Sequence, residues 1–126
     1  MSIRRLIVAA AICCGLLPIA AAPARADQAD ELDLVSRATE GVESGLALAR
    51  DQMNVGELLG AMSTLERLLI NHPEADQAQL LHASLLCRLD DRLGASVEFA
   101  ALRRRDFSDR AWMDAIAPCA PRTDGN

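Results

Sequence analysis

The stretch from Val42 to Asp109 carries one pattern written twice, 34 residues apart. Gly60-Ala61 recurs as Gly94-Ala95, Ala49 as Ala83, Leu65 as Phe99 and Leu68 as Leu102. A period of 34 residues is the length of a two-helix hairpin, a unit that cannot bury its apolar face alone and has to stack on a neighbour. That requirement constrains the architecture more tightly than any other feature of the chain. It carries no information about chemistry.

The spacing of apolar residues agrees with helices. Within Asp27–Asn54, Leu32, Val35, Thr39, Val42, Leu46, Ala49 and Met53 recur at alternating intervals of three and four, one stripe down a helix. Gly41 and Gly45 each weaken that helix by up to about 1 kcal/mol against Ala. The segment therefore forms either one long helix or two joined near Gly41. Gly56 suits the left-handed position that closes a helix. Glu57–Asn71 forms the next helix, with Leu58, Ala61, Met62, Leu65, Leu68 and Leu69 inward. Pro73 stops it, because proline cannot continue the backbone ladder and restricts the residue before it. Glu74–Leu89 follows, with Ala78, Leu81, Leu85 and Leu86 inward, then Arg92–Arg104 with Ala95, Val97, Phe99 and Leu102. Ser108 is placed to cap a short helix over Asp109–Ala117. Strand-like alternation is absent, so the chain is all-α.

The first 26 residues read differently. Met1–Arg5 is basic, Leu6–Ala22 is apolar and uncharged, and Ala24-Arg25-Ala26 offers small residues at a cleavage site. This is the pattern of a secretory signal peptide, expected to be cut before Asp27. Its apolar run is at the short limit for a membrane span and is broken by Pro18, so no stable membrane insertion is expected after cleavage. The three parts are then a signal peptide over 1–26, a helical domain over 27–117 and a flexible tail over 118–126. The mature chain keeps all 18 acidic residues and 10 of the 13 basic ones, a net charge of 10 − 18 = −8. That balance, with no basic stripe, argues against nucleic acid as a partner. The leader is expected to send the protein to the periplasm or outside the cell, where its two remaining cysteines, Cys87 and Cys119, would pair. Such a bond closes a loop of 32 residues, worth about 3–4 kcal/mol in the chain-entropy picture.

The two copies resemble the tetratricopeptide repeat (TPR). That motif puts a small residue in its first helix, Gly at the turn, then small, large apolar and small positions on its second helix, and Pro at the end. Here those positions are Ala49, Gly56, Ala61, Leu65, Leu68 and Pro73 in the first copy, and Ala83, Asp90, Ala95, Phe99, Leu102 and Phe107 in the second. Leu68 and Leu102 stand where a small residue is usual, which implies looser or differently angled packing there. Gly45 and Gln79 stand where the motif favours Trp. The resemblance implies a right-handed α-solenoid fragment of two antiparallel hairpins with capping helices. It also implies a concave wall made by the first helix of each hairpin. By position, that wall carries Glu43, Leu46, Arg50, Met53 and Asn54 from the first copy and Gln77, Leu80, Ser84, Cys87 and Arg88 from the second. Arg50, Asn54 and Arg88 could meet a partner's carboxylate, since Arg forks suit that geometry.

Catalytic constellations are not found in the sequence, and no cofactor or metal site is expected. His72 precedes Pro73 in a loop and reads as an exposed loop residue; His82 reads as packed at a helix interface. His82 and Cys87 are five apart, a spacing that does not share a helix face. Arg103-Arg104-Arg105 reads as a charge run favoured at a helix C-terminus. The expected function is non-catalytic binding of a peptide or protein segment on the concave wall. The alternatives are a self-associating subunit, in which a second copy completes the stack, and a small thiol- or metal-dependent protein using Cys87, Cys119 and His82.

Overall fold

The apolar stripe of the first segment breaks at Gly41, and polar side chains from another helix hold the break. Gly41 is extended (φ −120°, ψ 142°) and Val42 opens a new helix. The carbonyls left free around the turn are met one by one, as a buried or half-buried backbone requires. Asn71 Nδ2 donates to the Thr39 carbonyl at 3.1 Å, and His72 Nε2 donates to that of Glu40 at 3.0 Å. The Ser44 hydroxyl donates to the carbonyl of Ala38 at 2.6 Å. His72 is thus a clasp between two helix ends rather than a free loop residue.

The computed structural model describes residues 24–121, with side chains from Asp27 onward. Its helices are α1 (Ala24–Ala38), α2 (Val42–Asn54), α3 (Leu58–Asn71), α4 (Asp76–Arg88), α5 (Arg92–Ala101) and α6 (Asp109–Ile116). Short 3-10 turns lie at Arg104–Asp106 and Ala117–Cys119. No strand occurs among the described residues, so the chain is all-α there. The expected leader lies outside the described residues except for its last three, which open α1. No described helix is long and apolar enough to cross a membrane.

Of the two arrangements left open for the first segment, the structure shows two helices that meet at Gly41. Two boundaries differ from the sequence expectation. The helix that opens at Arg92 ends at Ala101, because Leu102 turns extended (φ −81°, ψ 142°). The arginine run therefore lies beyond the helix: Arg103 pairs with Asp106 at 2.7 Å, and Arg104 pairs with Asp109 and lies 5.4 Å from the centre of the Trp112 ring. Finally, Pro118 and Cys119 belong to a 3-10 turn, where a flexible tail was expected from residue 118. The last five residues lie outside the described part.

The helices pair as antiparallel hairpins with matching landmarks. The starts of α2 and α4 are 34 residues apart, as are those of α3 and α5. Gly56 (φ 86°) and Asp90 (φ 68°), also 34 apart, are the residues of the described chain with left-handed backbone. Glycine adopts that conformation freely, and Asp is among the few others that tolerate it. Ala49 and Ala83, and likewise Ala61 and Ala95, are at most 1% exposed.

The main core joins Leu46, Ala49 and Met53 of α2 to Ala61, Leu65 and Leu68 of α3 and to Ala78 and Leu85 of α4. Leu32 is 69% exposed, so the stripe starts to bury only past it, at Val35 and Thr39. A second cluster sets Leu80 of α4 against Phe107 and Ala115, with Phe99, Leu102 and Trp112 around them. Phe99 meets Trp112 edge-on with ring centres 5.5 Å apart, an arrangement aromatic quadrupoles favour. Two buried polar residues escaped the apolar pattern: Thr64 Oγ1 donates to Gln52 Oε1 at 2.8 Å, linking α3 to α2 inside the core.

Candidate functional site

Three helices that follow one another at near-regular spacing line one cleft. α2 contributes Arg50 and Met53; α4 contributes Gln77, Leu80, Leu81, Ser84 and Arg88; α6 and the turn after it contribute Ala111, Asp114, Ala115 and Pro118. The cavity is about 390 Å³, within the size range of ligand-binding clefts. On α4, residues at i, i+3, i+4, i+7 and i+11 share one side, which is why these five side chains converge.

Six of the expected wall residues meet here: Arg50, Met53, Gln77, Leu80, Ser84 and Arg88. Met53, Leu80 and Ser84 are buried and form the floor, while Arg50 and Gln77 stand exposed at the rim. Three do not take part. Leu46 is 2% exposed and packs in the main core, since its position one turn before Arg50 faces α3. Glu43 and Asn54 lie exposed near opposite ends of α2, away from the cleft lining. Cys87, also placed on that wall by position, is buried and bonded to Cys119.

The charges of the cleft are unevenly satisfied. Arg88 Nη2 donates to the Met53 carbonyl at 3.1 Å, tying α4 to the end of α2. Arg50 has neither an ion pair nor a hydrogen bond among the described residues. Opposite stands Asp114, exposed on α6. The rim is therefore mixed in sign over an apolar floor.

The α6 wall is the part that the sequence reading assigned to a cap. Its signal was present: α6 starts 33 residues after α4, one residue short of the period. Cys87 of α4 and Cys119 are disulfide-bonded, with Cα atoms 4.9 Å apart, and this bond anchors the end of the α6 segment to α4. A disulfide fits an oxidising, exported setting. It also leaves no thiol at Cys87 or Cys119 to act as nucleophile or metal ligand.

His82 lies elsewhere, on the other side of α4. Its Nδ1 donates to Glu98 Oε2 of α5 at 2.7 Å, and its Nε2 is buried without a partner among the described residues. No group of three or more His, Cys, Asp or Glu among the described residues is placed to hold a metal ion. Compared with known proteins, the chain matches no family model, no curated protein and no solved structure.

Proposed function

We propose that the protein is an exported, non-catalytic interaction module, built as a TPR-like stack of two hairpins closed by a half-hairpin, which grips a peptide or protein segment in the α2–α4–α6 cleft. The observation that supports this most directly is the convergence of Arg50, Met53, Gln77, Leu80, Ser84 and Arg88 on a single cleft. The repeated left-handed turns at Gly56 and Asp90 support the stack. The apolar floor would take an aliphatic or aromatic side chain, and the uncommitted Arg50 would meet an acceptor on the bound chain. The disulfide and the signal-like N-terminus support a periplasmic or secreted location.

Site-specific photocrosslinking in the native envelope tests the reading. A photoreactive residue at Gln77 should give discrete adducts that vanish with Arg50→Glu, while one at Ser96, exposed and outside the cleft lining, should not. Equal adduct patterns at both positions would refute it.

A second reading, self-association, draws on Leu32 and Leu59, 69% and 74% exposed, which line one hollow between α1 and α3. Sedimentation of the mature chain across a hundredfold range, about the span over which a weak dimer dissociates, distinguishes the two. A strict monomer removes self-association.

A further inference from the structure

The side of α4 that faces away from the cleft carries a second hollow, larger and acidic where the first is mixed in sign. At 3.6 residues per turn, Gln79 and His82 lie roughly half a turn from Leu80, Ser84 and Arg88. With them, Glu66, Leu69 and Ile70 of α3 and Glu98 and Ala101 of α5 enclose about 590 Å³. The lining is aliphatic at Leu69, Ile70 and Ala101, and no Arg takes part. Glu66 makes no ion pair or hydrogen bond among the described residues, and Glu98 bonds only His82, through Oε2. Its Oε1 is left open. Ile70 at the rim is 79% exposed, and Val97 of α5, next to Glu98, is 64% exposed.

We infer that this hollow docks a helical segment of a partner protein that presents an aliphatic side chain and an Arg or Lys one turn apart. The aliphatic group would rest on Leu69, Ile70 and Ala101. The cation would reach Glu66 and the open oxygen of Glu98. Charge complementarity selects this occupant: two under-used carboxylates beside apolar surface reward a cation, and an acidic or purely apolar segment would leave them unpaired. The proposal does not depend on the α2–α4–α6 cleft, which lies on the other side of α4. Both together would make the protein a two-sided bridge.

The test uses two amide-capped helical peptides of Ala and Gln, one with Leu and Arg a turn apart, the other with Leu and Glu. Both are titrated into isotope-labelled mature protein, followed by amide shifts. The Leu/Arg peptide should saturate shifts at Leu69, Gln79 and Ala101 while leaving Arg50 and Gln77 unmoved. Glu66→Gln, at an exposed position that leaves the His82–Glu98 pair intact, should weaken it about threefold to fivefold, the worth of one exposed charge pair. Raising the salt concentration should do the same. Glu66→Arg should transfer the preference to the Leu/Glu peptide. Absence of saturable shifts, equal binding of both peptides, or shifts confined to the other cleft would each overturn the proposal. So would a concentration-dependent dimer that covers Ile70 in the free protein.

Discussion

Leu68 packs directly onto Gly45. A Cβ built on that glycine would come within 2.8 Å of one Leu68 methyl and 3.0 Å of the other. These are two of the positions at which the sequence departs from the TPR pattern, a large residue where a small one is usual and a glycine where Trp is favoured. They compensate each other. The expected looseness at Leu68 is not found: the side chain is fully buried, and α2 and α3 approach closely because one of them has no side chain there.

Gly45→Ala should therefore destabilise the fold by about 1 kcal/mol, the overpacking cost exceeding the helix-propensity gain. Leu68→Ala should cost about 2–5 kcal/mol as a buried cavity. The double variant should be more stable than the sum of the two losses by about 1 kcal/mol, because the new methyl enters the space vacated. Urea unfolding of the four proteins measures that coupling, and strict additivity would show that the contact has no energetic weight.

The paired turns predict opposite responses to glycine chemistry. Gly56→Ala forces a side chain into left-handed backbone and should lose about 1 kcal/mol. Asp90→Gly relieves the same strain one period later and should gain about 0.5 kcal/mol, since its ion pair with Arg92 is exposed and 3.6 Å long. Thermal unfolding should move the two midpoints in opposite directions.

Replacing Cys87 and Cys119 by Ala should lower stability by about 3–4 kcal/mol, the chain-entropy value for a 32-residue loop. The loss should fall mainly on α6, which has eight residues and one buried side chain, Ala115. A helix that short does not persist undocked. Trp112, the only tryptophan, sits in that segment. Its fluorescence should shift to the red before the far-ultraviolet signal of the other helices is lost, and a single shared transition would contradict the assignment.

Thr64→Val keeps the shape of the side chain but removes the donor to Gln52. The buried amide oxygen is then orphaned, which should cost about 1–3 kcal/mol. Denaturant titration should show it, with Ser63→Ala on the exposed neighbour as a near-neutral control.

Much of the fold was legible because it is written as spacing. The hairpins, the turn at Gly56 and the cap at Ser108, whose hydroxyl accepts from Ala111 N, all follow from local rules. So does the pairing of Cys87 with Cys119, the two cysteines that lie beyond the expected leader. The helix break at Gly41 was left open because its resolution is not local: Asn71 and His72, 32 residues beyond the carbonyls they meet, hold it. The early end of α5 was hidden for a similar reason, since Leu102 leaves the helix to join the Phe107 and Trp112 cluster. Of the cleft, the α2 and α4 contributions followed from one helix face. The α6 contribution depended on extending the period into a truncated unit. Leu46 was misplaced because a helix face as wide as that of α2 serves both core and cleft, and spacing alone does not divide it. The Gln52–Thr64 bond had no sequence signal, as both residue types are ordinarily exposed.

The clasp around Gly41 also fixes how strongly α1 is held. Arg67 donates to Ser36, and Asn71 and His72 donate to the turn, while Leu32 and Leu34 stay more than half exposed. α1 is thus fastened by a few polar threads at one end and contributes little to the packed interior. Its amides should exchange with solvent well ahead of those of α3 and α4. Shortening α1 from its first turns should therefore leave the packing of α2 to α5 unaltered, since the interior is built by the helices that follow.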